Sequence, residues 1–452
     1  MAFSLRAPKY SADLQLKPGL FHYEILKNGG KSRVHLRVDP DNTAILMVNA
    51  SRVVHLNPTA AQMAYLFLQE TPKLDAIKFL RQVYNVPRKK AGVDYLETTY
   101  QLEQIMDEQG ACPVCDLALD KTLPFSSRPS APYRMDLAIT YRCNNACSHC
   151  YNARPRSFPE LDTHTWKQIL DRIWELGIPH VVFTGGEPTL RDDLPELVGY
   201  AENKGLISGI NTNGRRLADQ NFFQALVDAG LDHVQITLES HDRQIHDEMV
   251  QVRGAWQDTI AGLRNVVNSK LYMMTNTTLL TNNAYALEQT LNFLANEGVP
   301  TVGLNALIYA GHGAAVKTGL NEEELPALLK LARRITTEHH QKLIWYTPTQ
   351  HCHFNPMDLQ LGIKGCTAAL YNMCIEPDGS VLPCQSYYEG LGNILSDSWS
   401  SIWQHPLAVR IREREDIPEG CQHCDFFVEC GGGCPLARAH QQVKPIQMDV
   451  FV

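Results

Sequence analysis

The placement of the thirteen cysteines constrains this 452-residue chain more than any other feature. Cys112 and Cys115 come first, then Cys143, Cys147 and Cys150, and after a gap of about two hundred residues eight more fall between Cys352 and Cys434. The first twenty residues, MAFSLRAPKYSADLQLKPGL, hold no apolar run of signal-peptide length. No later stretch reaches the ~18 apolar residues needed to cross a bilayer. A cytoplasmic location is expected, and there an odd number of reduced thiols points to metal ligation rather than disulfides. Charged residues make up 20% and the net charge is -8, so no global feature suggests a polyanion or membrane surface as partner. We expect no nucleic-acid and no membrane partner, and a small-molecule or peptide substrate.

Four segments follow from the pattern. In residues 1–110, FHYEIL (21–26), SRVHLRV (32–38) and TAILMV (43–48) read as strands, with Asn28-Gly29-Gly30 and the 39–42 stretch as turns. Helical patterns follow from Thr59 to Glu70, up to Tyr84, and from Val93 to Met106, an order that suits a winged-helix-like domain. The 111–133 segment carries Cys112-Pro-Val-Cys115 and the Pro- and Ser-rich KTLPFSSRPSAPY, and reads as a linker. The Cys112–Cys115 pair is either a metal-ligating pair or two thiols at a domain junction. From 134 to 345 short apolar strands alternate with amphipathic helices, which predicts an α/β fold with parallel strands, as a barrel or a doubly wound sheet. Beyond 345 the apolar patterns shorten and cysteines take over, so 346–452 reads as a loop-rich domain held by metal.

Cys143, Cys147 and Cys150 directly follow the strand MDLAIT, in RCNNACSHC. Spacings of three and two residues can wrap three thiolates around one iron-sulfur cluster and leave its fourth iron open; zinc with a distant fourth ligand is the alternative. The next strand ends in Thr184-Gly185-Gly186-Glu187-Pro188, the third in Asn211-Thr212-Asn213-Gly214, and the fourth in Thr237 and Glu239. Two adjacent glycines allow close backbone approach, and Glu187 can meet an ammonium group.

With these motifs in this order, most of 134–310 closely resembles the radical S-adenosylmethionine (radical SAM) superfamily. The resemblance implies a partial (βα)6 TIM-like barrel with its site at the strand C-termini. It implies a 4Fe-4S cluster on Cys143, Cys147 and Cys150, with the amino and carboxylate groups of S-adenosylmethionine on the open iron. His149 stands where relatives carry an aromatic residue against the adenine. Gly185, Gly186, Glu187 and Pro188 match a GGEP motif at the methionine end. Asn213, Thr237 and Glu239 would bond ribose hydroxyls or the carboxylate, while Asp247 and Arg253-Gly254 also fit the pattern. The implied chemistry is one-electron cleavage of the sulfonium to a 5'-deoxyadenosyl radical that abstracts hydrogen from substrate, fed by a flavodoxin- or ferredoxin-type donor.

Gly379-Ser-Val-Leu-Pro-Cys384, preceded by Cys366, and Cys421-x2-Cys424-x5-Cys430-x3-Cys434 resemble a SPASM extension, which carries one or two auxiliary iron-sulfur clusters. By resemblance Cys366, Cys384 and Cys434, with Cys374 as fourth ligand, hold the first, and Cys421, Cys424 and Cys430 the second. The family supplies a further cysteine after the string; here eighteen residues follow Cys434 and none is Cys. The second cluster would then keep an open iron, use His440, or take a thiolate from Cys352 or the 112/115 pair. Zinc at Cys421, Cys424, Cys430 and Cys434 is the other reading.

Val53 to Ala60, VVHLNPTA, followed by two helices, resembles the element that captures leaders of ribosomally made, modified peptides by strand addition. A winged helix can instead bind DNA, though the balanced charge offers no cationic face; the plainest reading is a structural cap. Together these features imply a peptide maturase acting on a ribosomal precursor peptide, through crosslinking, epimerisation or backbone excision. The alternatives are an oxidase of protein side chains similar to anaerobic sulfatase maturases, and a non-catalytic iron-sulfur DNA-binding regulator. Tyr309, His312, Trp345, Tyr346 and Tyr371 are candidates to line the pocket.

Overall fold

The computed structural model describes residues 4–6, 14–27, 30–49, 52–107, 125–126 and 128–443. Cys112, Cys115 and most of the 111–133 linker lie outside the described residues. The chain divides into two units: Met1–Ala131 with Asp171–His180 and Gly205–Ile207, and Pro132–Leu170 with Val181–Lys204 and Ser208–Val452.

Alternation along the N-terminal strands builds the first unit. Strands β1 (Ser4–Arg6), β2 (Gly19–Lys27), β3 (Gly30–Val38), β4 (Ala44–Val48) and β5 (Arg52–Leu56) form an antiparallel sheet in sequence order. Tyr23 and Ile25, Val34, Leu36 and Val38, and Ala44, Leu46 and Val48 share one face and pack into a core with helix α1 (Pro58–Leu68). Pro58 occupies the first helical turn and the Asn57 side chain accepts from Ala60 N at 2.9 Å, which fixes where α1 begins. Helices α2 (Lys73–Tyr84) and α3 (Arg88–Met106) follow. The expected three strands followed by three helices are present as β2, β3, β4 and α1, α2, α3, and β1 and β5 extend the strands to a five-stranded antiparallel meander. Strand β5 went unread because its five residues had been absorbed into the apolar motif before α1. The other face of β3 is buried too: His35 is fully enclosed, its Nε2 lies 2.7 Å from Gly205 O, and its ring stacks on His22. Burial, reinforced by His22, lowers the His35 pKa to about 3, so it is a neutral structural histidine.

In the second unit seven parallel strands run in sequence order: β6 (Arg134–Thr140), β7 (His180–Gly185), β8 (Ile207–Thr212), β9 (His233–Thr237), β10 (Tyr272–Thr278), β11 (Thr301–Asn305) and β12 (Lys342–Trp345). Between them come α4 (Thr163–Glu175), α5 (Leu194–Lys204), α6 (Gln220–Asp228), α7 (Arg243–Val250), α8 (Ala255–Val267), α9 (Leu287–Asn296) and α10 (Leu325–Glu338). Ile139, Phe183, Ile210, Ile236 and Leu304 are fully buried, as expected of parallel strands covered on both faces. The order is that of a partial barrel with one strand beyond the six expected. Strand β10, Tyr-Met-Met-Thr-Asn-Thr-Thr, had neither alternation nor an apolar run to announce it.

The sheet does not stop at residue 345. Strand β13 (Asn372–Ile375) pairs in parallel with β6, setting Cys374 opposite Asp136, and β14 (Ser380–Leu382) and β15 (Gly392–Asn393) continue antiparallel from it. Short helices α11 (Trp399–Trp403), α12 (Pro406–Arg412), α13 (Phe427–Cys430) and α14 (Pro435–Val443) complete the described chain.

Candidate functional site at the strand ends

The loop after β6 carries Cys143, Cys147 and Cys150, and its backbone is anchored on both sides. Ala146 N and Ser148 N donate to Val250 O and Met249 O at the end of α7. His312 N donates to Cys150 O at 2.9 Å, and its Nδ1 lies 3.4 Å from Cys147 O. Gly311, at φ 55°, makes that approach possible, since a Cβ there would lie 2.6 Å from Cys150 O. Burial pushes the Cys143 thiol up to about 11 and holds Cys150 above, and Cys147 well above, the ordinary thiol range; Cys150 also raises Cys143, and Cys143 and Cys150 both raise Cys147. Mutual electrostatic contact of three thiols on one loop fits a single cluster.

Gly185 and Gly186 serve the chain itself. A Cβ on Gly186 would lie 2.4 Å from Arg142 O and 2.6 Å from Tyr141 O, and one on Gly185 would collide with Thr140 O. Their expected approach to a ligand is therefore joined by a stronger reason, the close packing of the β7 end on the cysteine loop. Pro188 opens a buried 3-10 turn. Glu187 is 1% exposed, and its carboxylate accepts from Thr189 N (3.0 Å), Thr189 Oγ1 (2.6 Å), Thr212 Oγ1 (2.7 Å) and Asn213 N (2.7 Å). Burial outweighs these bonds and raises its pKa. Glu187 thus ties the ends of β7 and β8 together, a bracing role that the motif did not reveal. Asn213 Nδ2 in turn donates to Asn144 Oδ1 at 2.7 Å, inside the cysteine loop.

His149 and Glu239, unconnected in the sequence reading, form a buried pair at 3.0 Å. Glu239 Oε2 accepts from Thr278 N at 3.0 Å, and Asn283 Nδ2 donates to Glu239 O at 2.8 Å. Burial works to lower the His149 pKa, but the Glu239 carboxylate overrides it and the net shift is upward. Thr237 ends β9 half-buried, in register with Asn276.

The C-terminal thiols gather in two sets. Cys366, Cys384 and Cys434 interact electrostatically, and burial raises Cys366 and Cys384 to about 12. Cys374 lies within an apolar cluster with Ala138 and Leu382, its Sγ is 3.7 Å from Ile375 O, and Cys384 is among the groups that raise its pKa. Cys421 interacts with Cys424 and Cys430, and Cys352 with Cys430 and Cys421. Backbone N–H groups donate to the sulfurs of Cys143, Cys150, Cys366, Cys384 and Cys434, an arrangement that favours thiolates and fits iron-sulfur ligation. Among the described residues no group of three or more His, Cys, Asp or Glu side chains is placed to hold one metal ion.

Of the proposed pocket residues, Trp345 is fully buried with Nε1 donating to Thr349 Oγ1 at 2.9 Å, and Tyr371 stacks on Tyr133; both are packing residues. Tyr309 stacks on His440 at 4.3 Å, and the Tyr346 hydroxyl lies 3.0 Å from Met274 Sδ. The sequence reading missed several residues around the cysteine loop. Glu160 accepts from Thr140 Oγ1 (2.6 Å) and Tyr141 N (2.9 Å), and Arg215 donates to Asn144 O (2.6 Å) and Asn145 Oδ1 (3.0 Å). Arg156 lies 3.2 Å over the Tyr141 ring, and Arg154 pairs with Glu376 at 2.6 Å and lies over the Tyr388 ring. Arg215 directly follows the Asn213-Gly214 turn, which is a usable signal; the others share no motif.

Comparison with known proteins agrees with this geometry. The Radical SAM superfamily model matches residues 137–294, and the SPASM iron-sulfur cluster-binding domain model matches 366–425. The chain is 27% identical over 330 residues to an AdoMet-dependent heme synthase of Oleidesulfovibrio alaskensis, covering 68% of this chain and 85% of that protein. It is 28% identical over 324 residues to an Fe-coproporphyrin III synthase of Methanosarcina barkeri, covering 65% and 81%. The structure of Streptococcus suis SuiB bound to S-adenosylmethionine superposes with a TM-score of 0.68 at 17% identity, over 89% of this chain and 95% of that one. Native anSMEcpe with bound AdoMet and Kp18Cys peptide gives 0.56 at 17% identity, over 68% and 90%. At these identities the structural likeness shows the fold. The cofactors are accordingly a 4Fe-4S cluster, S-adenosylmethionine and auxiliary iron-sulfur. A three-cysteine loop at the end of the first barrel strand, followed by a second, cysteine-rich region, agrees with a radical SAM domain over 137–294 and a SPASM iron-sulfur cluster-binding domain over 366–425 in this chain.

Proposed function

We propose that the chain is a peptide maturase that oxidatively modifies a ribosomally made precursor peptide. The observation that carries the reading is the presence, in one chain, of the three-cysteine loop, the two gathered C-terminal thiol sets, and a first unit with a surface suited to an extended peptide. Strand β5 is outermost in its sheet, and among the described residues it pairs only with β4. Val53 on β5 is 40% exposed, and on α3 Val93, Leu96 and Tyr100 form an exposed apolar stripe at helical spacing. Arg52 Nη1 donates to Ile105 O and Asp107 O, which ties the start of β5 to the end of α3. A leader adding as a strand to β5 would lay its apolar side chains on that stripe. SuiB has been solved bound to the precursor peptide SuiA, which supports a peptide partner.

In this reading Cys143, Cys147 and Cys150 hold the first cluster, and Cys366, Cys384 and Cys434 one auxiliary cluster, with Cys374 beside it. Cys421, Cys424 and Cys430 serve the second. When bound, the first cluster and S-adenosylmethionine supply reductive carbon-sulfur cleavage and a hydrogen-abstracting radical. Glu187 acts as a positioning residue that fixes Gly185, Gly186, Pro188 and Asn213 around the cofactor site. His149 presents a ring held by Glu239 for adenine, and Thr237 faces the ribose. A flavodoxin- or ferredoxin-type donor and a cytoplasmic, reducing setting belong to the same proposal. Co-expression of the chain with a short Cys- or aromatic-containing peptide encoded beside it, followed by mass spectrometry, should show a mass loss. That loss should vanish with Cys147→Ala and with Leu96→Glu. Unmodified peptide with the intact protein, or modification that survives Leu96→Glu, sinks the leader-dependent reading.

A second reading is an enzyme acting on a carboxylated tetrapyrrole. Two relatives carry heme-synthesis names, and Arg154 and Arg156 flank the cysteine loop, with Arg156 Nη2 buried and lacking a hydrogen-bond partner. Turnover of an iron coproporphyrin in place of the peptide would select it.

A further inference from the structure

The 421–434 string contributes only three thiols to its own neighbourhood, because Cys434 interacts with Cys366 and Cys384. The structure brings a different segment to the gap. His351 N donates to Cys430 Sγ at 3.3 Å, and Cys430 Sγ lies 3.6 Å from Thr349 O. A Cβ on Gly433 would meet Gln350 Cγ at 2.8 Å, so the 349–351 backbone runs directly along the cysteine string. The His351 ring packs at 6.3 Å from Phe426, inside the string; it is 8% exposed, and neither of its ring nitrogens has a hydrogen-bond partner. Buried polar groups without partners are rare in native proteins and mark strain or a missing ligand. Cys352 is the next residue, and its thiol interacts electrostatically with those of Cys430 and Cys421.

We propose that Cys352 is the fourth ligand of the second auxiliary cluster, closing it together with Cys421, Cys424 and Cys430 from sixty-nine residues upstream of the string. The inference rests on the auxiliary-cluster assignment proposed above and deepens it. Ligation exchanges the S–H bond of Cys352 for an S–Fe bond and releases the proton to solvent, with no electron transferred. Four protein thiolates leave no iron of this cluster free for substrate, so its role is to relay electrons. His351, the neighbouring candidate, keeps its backbone N–H on Cys430 and serves as second-layer support for the site.

The test uses the full chain carrying Cys143→Ala, Cys147→Ala and Cys150→Ala, which silences the first cluster. Iron and sulfide per chain, and the EPR spectrum of the reduced protein with and without added imidazole, are compared for four further substitutions. Cys352→Ala should create an imidazole-dependent change absent from the parent and lose about one iron on mild oxidation, as a cluster with one unligated corner does. Cys352→Ser should restore the parent response to imidazole, and His351→Ala should match the parent. Cys421→Ala should lower iron by up to about four atoms, the content of one cluster. The proposal is overturned if Cys352→Ala matches the parent, or if His351→Ala produces the change expected of Cys352→Ala. Unchanged iron in Cys421→Ala as well would remove the second auxiliary cluster itself, a failure distinct from a wrong fourth ligand.

Discussion

Cys143, Cys147 and Cys150 share one short loop whose backbone hangs on α7 and on His312, whereas the C-terminal thiols are drawn from separate segments between 352 and 434. In the first case spacing along the chain fixes the neighbours, and the surrounding structure adds braces: Glu187 across two strand ends, Glu239 against His149. In the second case spacing is a poor guide. Cys434 belongs by spacing to a four-cysteine string yet interacts electrostatically with Cys366 and Cys384, as the family resemblance implies, and Cys352 interacts with Cys430 and Cys421. The loop's thiols are near one another along the chain, whereas Cys374 reaches the barrel sheet only through the pairing of β13 with β6.

That contrast can be broken most decisively at Cys147. Cys147→Ala should reduce S-adenosylmethionine cleavage to background while leaving the auxiliary iron in place; loss of all iron together would mean the two regions assemble as one. Cys384→Ala is next in size. It should abolish modified product while S-adenosylmethionine cleavage, measured as 5'-deoxyadenosine, stays within about threefold, because the first cluster's ligands and braces are untouched. Equal loss of both activities would erase the distinction.

Two smaller changes probe the braces of the loop. Gly186→Ala forces a Cβ to 2.4 Å from Arg142 O, and overpacking of this kind costs about 1–3 kcal/mol, read as a lowered Tm with weakened S-adenosylmethionine binding and an unchanged auxiliary EPR signal. Glu239→Gln removes the charge that raises the His149 pKa, leaving burial to depress it below its ordinary 6.5, a drop that NMR titration of the His149 ring would follow. The sign of its pH effect is set by that upward shift. With a folded pKa above the unfolded one, the pair's contribution is fully present below pH 6.5 and fades as pH rises through the folded value. The stability gap between wild type and Glu239→Gln, about 1.5–3 kcal/mol for a charged hydrogen bond, should therefore be larger at pH 6 than at pH 9. A gap that grows with pH would show that His149 is neutral in the folded protein.

Legibility followed the range of the interactions. The parallel strands, their order and the motifs at their ends were readable because apolar runs and loop spacings are local. Strand β10 was not, since Met, Asn and Thr become strand residues only between β9 and β11. Strand β5 went unread as a strand because a five-residue edge strand carries too few alternations to declare itself.

By itself the sequence determined that three thiols at spacings of three and two follow the first barrel strand, and that more metal-binding thiols lie near the end of the chain. Covalent spacing enforces the first, and composition announces the second. Tertiary structure alone decided that the 349–351 backbone runs along Cys430, that Glu187 braces two strands, and that His149 meets a carboxylate ninety residues away. Those outcomes depend on burial and strand pairing, which bring together groups that no local pattern connects.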